Sequence, residues 1–539
     1  MSDRYKLSLL AFISAVLLSV PYLVPGTGFL SLIAFVPLLI AEQYATMAGI
    51  KGFWKWHYGC FVLWNAFTTF WVCNATLGGG IFAVLANALQ MSLIFGLFRW
   101  SRKQVSGAVP YIFLAFAWIA WERFYLTWAE ISWPWLVLGN AFARTTGWIQ
   151  WYEYAGTLGG SLWIWTTNLA VFGVLMTLAY GNWRNRTLAA RLFFSLGTLA
   201  LFAVPPVLSL FIKPDDPDGS LDVVILQPNI DPYDKFGGMS QEQQTDLLLS
   251  QLSDSCPTGN VLCIAPETFT NDIITNDLYL SPTLNRFQEY ADAHPGVNIL
   301  FGASSRTYLE SAVRPSHTAR LRPNGLWMEG HNSSLMVSAG RTPDIFHKSK
   351  LVVAVEKTPY PAVFCKIDDL LGGVMGRNIG QEEVTDLNFA QYDSTGQMTG
   401  SFPVGTPICY ESVYGEYCTE YVRKGARLLA VITNDAWWKD TPGYRQHLSY
   451  SSLRAIETRR WIARCANTGI SAVIDPSGKI ISRTDWWEPA VLNAKVGLSR
   501  EETFFVRTGD IAARISVLMF LLLFFGMLVR SVTRPGLGR

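Results

Sequence analysis

Charge is scarce in this chain. Only 16% of its 539 residues are Asp, Glu, Lys or Arg, against roughly 25% in ordinary soluble domains, so a wholly soluble protein is not expected. The 43 basic and 41 acidic residues nearly cancel, which leaves no electrostatic footprint for nucleic acid. Disorder is excluded because half the residues are hydrophobic, enough to offset the entropy of ordering. Eight cysteines, at 60, 73, 256, 263, 365, 409, 418 and 465, form no C-x-x-C pair and no Cys/His ligand spacing. No structural zinc and no metal site is therefore expected.

What the chain has in quantity is apolar runs. A bilayer core of roughly 30 Å needs about 20 apolar residues per helix. Eight runs approach that length: 7–24, 29–43, 53–75, 80–99, 109–128, 156–180, 190–212 and 513–529. The second is short and the fifth contains Glu122 and Arg123. The first could be a cleaved leader, but no A-x-A-like site follows and Pro21 and Pro25 lead into another apolar run, so it is read as a retained span.

Positive charge near spans marks the cytoplasmic side. Arg4 and Lys6, then Arg99, Arg102 and Lys103, then Arg184, Arg186 and Arg191, and finally Arg530, Arg534 and Arg539 fall on one side if eight spans alternate. The long segment before the last span then lies outside the cytoplasm. Trp54, Trp56, Trp118, Trp121, Trp128, Trp133, Trp135, Trp148 and Trp151 lie near the expected span ends. They read as an interfacial aromatic belt, or, for the loop 130–154, as the lining of a lipid entry site.

Residues 213–512 read as a soluble domain of α/β type. The short runs LDVVILQ, VLCIAPE, NILFGAS and RLLAVITN alternate with amphipathic stretches at 241–252 and 446–465, the pattern of a layered α/β structure. The expected organisation is a membrane domain with seven helices over 1–212, the α/β domain over 213–512, and an eighth helix with its tail over 513–539.

Three reactive side chains follow β-like runs: Glu267 ends VLCIAPE, Lys348 lies in DIFHKSKL, and Cys409 lies in GTPICYE before a helical stretch from Ser412 to Gly425. Strand ends are where ligand chemistry gathers in α/β sheets. A thiol at a strand-to-helix junction is expected to have its pKa lowered by the helix N-terminus. A cysteine nucleophile needs a base for its proton and a cation or dipole for the oxyanion, roles that Glu and Lys can fill.

The order Glu, Lys, Cys, with P-E, K-x-x-L-V and I-C-Y-E around them, resembles the nitrilase or carbon-nitrogen hydrolase superfamily. With seven spans before such a domain and one after it, the whole chain is similar to the superfamily's membrane branch, the apolipoprotein N-acyltransferases. LQPNI from Leu226, TNDAWW from Thr433, Gln446-His447, RAIETRR from Arg454 and ANTGISAVIDPSG from Ala466 fit as well. The resemblance implies a multi-pass α-helical membrane domain of about eight helices joined to a nitrilase-like αββα sandwich. It also implies Glu267 as general base, Lys348 as oxyanion stabiliser and Cys409 as nucleophile.

Glu356 matches a family glutamate thought to assist in the site, although it could simply pair with Lys348 or Lys357. Glu411 and Tyr410 belong to the family's C-Y-E motif. Asn434, Asp435 and Trp437 either buttress a strand as turn residues or, for Asn434 and Trp437, contact substrate. His447 reads as a cap or packing residue at the start of its helix, and Arg454, Glu457 and Arg459 have helical spacing suited to ion pairs. Two departures sit beside the site: Val353, Ala354 and Val355 stand where the family has P-F-G, and Ala265 replaces a tryptophan.

The implied reaction moves an acyl chain from a phospholipid, through a Cys409 thioester, to the α-amino group of a diacylglyceryl-cysteine on an apolipoprotein. It needs no cofactor, is expected of a monomer, and takes place on the periplasmic side of a bacterial inner membrane. A membrane-anchored amidase using the same triad, and a transporter with a structural outer domain, are the competing readings. The orientation is testable with a membrane-impermeant thiol reagent on spheroplasts of a strain whose exposed native cysteines are removed. A cysteine introduced at Ser240 should be labelled and one at Ser101 should not; the reverse pattern would put the triad in the cytoplasm.

Overall fold

The computed structural model describes residues 2–180, 183, 185–231, 238–255, 259–370, 373 and 375–533. Arg184, Arg534 and Arg539 of the charge clusters, and Cys256, lie outside the described residues. The chain divides into two compact units. One comprises Met1–Ala129, Trp133–Lys213 and Thr508–Arg539, and the other comprises Glu130–Ser132 and Pro214–Arg507.

In the first unit all eight apolar runs are helical, and six of the helices are long and apolar enough to cross a membrane: Asp3–Leu23, Gly28–Met47, Leu77–Gln104, Tyr152–Ala179, Leu188–Phe211 and Ile511–Thr533. The third run becomes a 16-residue helix, Trp54–Thr69, followed by a tighter turn, which is short for a span. The fifth, Val109–Thr127, carries Glu122 and Arg123. Among the described residues, then, six of the eight expected spans satisfy both length and apolarity.

Glu122 and Asn168, buried inside this bundle, find hydrogen-bond partners within it, as a low-dielectric setting favours. Glu122 accepts from the Trp118 indole at 3.1 Å and the Leu138 N–H at 2.9 Å, and Asn168 donates to the Ser31 and Ile164 carbonyls. The aromatic belt is only partly realised. Trp118 and Trp135 are buried in the bundle, Trp118 against Phe35 and Trp165, whereas Trp54 and Trp128 are exposed. Ser101 is fully buried, so the exposed Ser106 is the better position for the labelling test.

Among the described residues the second unit has three sheets, two that form its layers and a separate two-stranded one. In chain order the strands used below are β1 (Gly219–Gln227), β2 (Val261–Ile264), β3 (Thr270–Ile274), β4 (Val297–Leu309), β5 (Arg320–Leu321), β6 (Trp327–Val337), β7 (Asp344–His347), β8 (Leu387–Tyr392), β9 (Met398–Val404), β10 (Leu429–Thr433), β11 (Ile462–Ala466), β12 (Ala472–Ile474), β13 (Ile480–Arg483) and β14 (Ala490–Leu498). The larger sheet runs β14-β1-β2-β4-β6-β5, with β3 on β4 and β7 on β6; the smaller runs β10-β11-β12-β13. β1, β2 and β4 are parallel, and their buried apolar stretches 223–226, 261–264 and 299–301 match the continuous hydrophobic runs of such strands.

The sheets meet where β1 approaches β11, with the Cys465 thiol on the Leu226 carbonyl at 3.2 Å. Helix 282–293 opens on a Ser281 cap followed by Pro282, and helix 442–458 on a Thr441 cap followed by Pro442, the pairing that favours helix starts. Leu248 and Leu252 of helix 241–255 and Leu284 and Phe287 of helix 282–293 pack on the larger sheet. Helix 442–458 lies against the smaller one. Helix, sheet, sheet and helix are the four layers of the expected sandwich. The amphipathic stretch 446–465 is a helix only to Thr458; Arg459 turns left-handed and β11 begins at Ile462.

One close approach ties this architecture to the site. A Cβ on Gly302 of β4 would lie 2.6 Å from the Glu267 Cα and the Thr268 N, and 2.8 Å from the Pro266 carbonyl. Only glycine lets β4 support that loop. Gly302→Ala should therefore cost about 1–3 kcal/mol by overpacking and displace Glu267, seen as a lowered unfolding midpoint with a larger loss of activity. Unchanged activity would show that the loop has slack.

Candidate active site

Glu267, Lys348 and Glu356 meet at the ends of strands. Glu267 lies three residues past β2, and Thr268 next to it adopts φ 49°, which turns the chain back under β4. Lys348 follows β7 directly, and its side chain is fully buried. Its ammonium donates to Glu267 Oε1 and to Glu356 Oε1, each at 3.0 Å. The Asn332 amide, one strand over on β6, donates to the same two oxygens at 2.8 and 2.6 Å. The second oxygen of each carboxyl is also held, Glu267 Oε2 by the Asn434 N–H at 3.1 Å and Glu356 Oε2 by the Val352 N–H at 2.7 Å. Burial alone would discharge Lys348, but Glu267 and Glu356 outweigh it and keep the ammonium charged, its pKa well above the usual range.

Glu356 thus belongs to the cluster. The altered segment before it still forms the turn: Ala354 takes φ 67°, and the Ala354 N–H donates to the Lys357 carbonyl at 2.8 Å. Gly376 packs beneath, where a Cβ would fall 2.1 Å from the Val355 carbonyl oxygen.

Cys409 stands on a short tight turn, Cys409–Val413, entered from Ile408, which pairs with Ile432 beside β10. Its own φ is 51°, a left-handed conformation that costs energy for a side chain with a Cβ. The turn is held by Glu411, whose carboxylate accepts from the N–H groups of Ile408, Ser349 and Lys350 at 2.8, 2.7 and 3.1 Å. The Tyr417 hydroxyl donates to it at 2.7 Å. One side chain therefore fixes the backbone after Lys348 to the backbone at Cys409.

Tyr410 points the other way, donating to the Ser132 carbonyl at 2.9 Å. The Tyr414 hydroxyl meets the Ser132 hydroxyl at 2.7 Å, and Lys357 pairs with Glu130 at 3.1 Å. The three-residue segment 130–132, distant in sequence, is pinned here next to the nucleophile candidate.

The helix that was expected to depress the thiol's pKa begins only at Gly415, a turn too late. Burial and the nearby Glu267 carboxylate push the Cys409 thiol well above its ordinary range, and Lys348 only partly offsets them. Helix-end stabilisation falls off within the first turn, whereas desolvation acts on the sulfur itself. The resting group is a neutral thiol, and a base must take its proton as it reacts.

Beneath Cys409 lies a charged bracket. His447 faces the Cys409 carbonyl at 3.1 Å and Asp435 at 2.9 Å, and Arg464 donates to Asp435 at 2.8 Å. Cys409, Asp435 and His447 bring ligand-type atoms within 4.8 Å of one another. Arg464 already supplies the positive charge there, also standing 3.0 Å from His447 Nδ1. Asp435 is buried, yet Arg464 and His447 hold its pKa at about 2. Asp435 and Arg464 form a buried ion pair that, through His447, supports the Cys409 turn.

Asn434 takes part through its backbone, and Trp437 sits on the turn 435–438, 41% exposed. Arg454 pairs with Glu457 at 2.7 Å, as its spacing suggested, while Arg459 donates to the Pro476 carbonyl. Sequence reasoning missed Asn332, Arg464 and Ser132. A signal existed for Asn332: four polar residues in a row, His331 to Ser334, are an oddity in a buried strand. Ser132 gave none.

The carbon-nitrogen hydrolase family matches residues 224–504, and the N-terminal domain of apolipoprotein N-acyltransferase matches residues 14–170. The chain belongs to the carbon-nitrogen hydrolase family. It is 27% identical over 502 residues to the apolipoprotein N-acyltransferase of Chlorobaculum tepidum, covering 90% of this chain and 89% of that one. Against that of Geobacter metallireducens it is 26% identical over 517 residues, covering 94% and 92%. Among solved structures, Saccharomyces cerevisiae Nit3, of the nitrilase superfamily, is similar at 15% identity and a TM-score of 0.35, covering 53% of this chain and 93% of that one.

A neutral, buried Cys409 has a direct consequence for its reactivity. Alkylation of Cys409 by iodoacetamide, followed by peptide mass spectrometry, should accelerate steadily to pH 9 and beyond. A plateau below pH 8 would mean a preformed thiolate.

Proposed function

We propose that this chain is an apolipoprotein N-acyltransferase whose two half-reactions run on Glu267, Lys348 and Cys409. The observation that carries this reading is the buried Lys348 ammonium 3.0 Å from the Glu267 carboxylate, both within electrostatic reach of Cys409. The family likeness over both the apolar and the α/β parts of the chain supports it.

In the first half-reaction Glu267 takes the Cys409 proton as the sulfur attacks the carbonyl carbon of a phospholipid ester. The oxyanion that forms is met by Lys348, a donor that needs no reorganisation because its carboxyl partners already hold it. The C–O ester bond breaks, the leaving alkoxide takes the proton back from Glu267, and a lysophospholipid departs from the thioester. In the second, the neutral α-amine of a diacylglyceryl-cysteine attacks the thioester carbon and passes a proton to Glu267. The C–S bond breaks, and the sulfur recovers that proton.

Glu356 shares Lys348 with Glu267, so the lysine stays bound when Glu267 is protonated. Glu411 and Tyr410 act as positioning residues, for the nucleophile turn and for the segment 130–132. Water must be kept from the thioester, in keeping with substrates that are both anchored in lipid and a catalytic domain on the periplasmic face of the inner membrane. The domain boundaries at 213 and 512 follow the same reading.

Incubation of the purified chain with phospholipid should give an acyl adduct on Cys409 by mass spectrometry, discharged quickly by a diacylated lipopeptide and slowly by water. Rapid discharge by water would indicate an amidase-type hydrolase instead. Cys409→Ser should form no adduct. Lys348→Ala should lose roughly 2.7–4 kcal/mol of transition-state stabilisation, the cost of an oxyanion donor, and Lys350→Ala little.

A further inference from the structure

Away from Cys409, the membrane unit contains a groove of about 490 Å³ between the helices 77–104, 109–127 and 511–533, a size that suits a small amphipathic ligand. Its two chemistries are segregated. Arg123 and Arg514 line it, one near the end of its helix and the other near the start of its own. Ile94, Val517, Phe520 and Leu521 supply apolar wall.

The arginines are held in place. Arg123 stands 3.9 Å from Asp510, and Arg514 donates to the Thr508 carbonyl at 2.6 Å. The neighbouring Glu122 is engaged inside the bundle by Trp118 and Leu138. Two guanidiniums thus border the groove, with the Asp510 carboxylate near Arg123. Trp128, 78% exposed, also lines it, and exposed tryptophans mark the level of lipid headgroups.

We infer that this groove binds one anionic glycerophospholipid, its phosphodiester on Arg123 and Arg514 and an acyl chain along Val517, Phe520 and Leu521. Guanidinium forks match phosphate oxygens in pairs, and apolar wall beside two cations fits a ligand with the same division. A free phosphate would leave the wall unused, and a neutral diacylglycerol would make no use of the two positive charges. The site shares no residue with the Cys409 cluster and stands without the acyl-transfer reading.

The test is native mass spectrometry of the full chain in mild detergent. The probe is ether-linked phosphatidylglycerol, which cannot donate an acyl group, compared with a diacylglycerol of equal chain length and with inorganic phosphate. Wild type should retain one phosphatidylglycerol more than the Arg123→Gln/Arg514→Gln variant, with at least tenfold weaker binding in the variant. Diacylglycerol should bind at least tenfold more weakly to wild type, and millimolar phosphate should not displace the lipid. Leu521→Trp fills the groove while keeping both arginines, and it should lose the same lipid with an unchanged melting temperature. That variant decides the matter if the double variant does not fold. Equal lipid retention by the folded variants, equal binding of diacylglycerol, or displacement by phosphate would each overturn the assignment.

Discussion

The catalytic unit is organised around one buried ammonium. Lys348 is out of reach of water, and an unpaired charge there would cost several kcal/mol, so the fold must deliver partners to it. It does so from separate parts of the chain: the loop after β2 brings Glu267 and the turn 352–356 brings Glu356. Asn332 on β6 ties the two carboxyls to each other as well as flanking the lysine. A cation satisfied by two segments, whose carboxyls a third ties together, also specifies where those segments go. The glycine contact beneath Glu267 and the left-handed Thr268 are local costs of meeting that demand.

Cys409 is placed by a second constraint, which depends on the first. Cys409 occupies a strained conformation that its own sequence does not favour, and it persists because Glu411 links its backbone to that of Ser349 and Lys350. The Asp435, His447 and Arg464 bracket supports it from below. The same burial that excludes water keeps the thiol neutral. In the proposed reaction the thiol therefore depends on Glu267 to take its proton and needs no standing thiolate.

The membrane unit obeys the opposite logic. Its apolar helices need no charge to associate, and where charge occurs it is neutralised inside the bundle or gathered at helix ends. Glu42 is engaged by Arg99 and Arg102, and Arg123 stands near Asp510. The groove between Arg123 and Arg514 is where charge and apolar wall lie side by side.

Much of this was legible in the amino-acid order. Apolar length located the helices, and strand-like runs located β1, β2, β4 and β10, because burial on both faces of a strand writes itself locally as a continuous apolar segment. Glu267, Lys348 and Cys409 were legible through their flanks, since reactive groups collect just past strand ends. Tertiary structure alone decided the rest. The thiol's pKa depends on desolvation and on a carboxylate 142 positions away in the sequence, which no local helix rule can foresee. That Asn332 bridges two glutamates, that Arg464 charges the bracket under Cys409, and that Ser132 meets Tyr410 and Tyr414 all follow from long-range packing. Each depends on distances between segments that are remote along the chain, and a linear order of residues does not contain those distances.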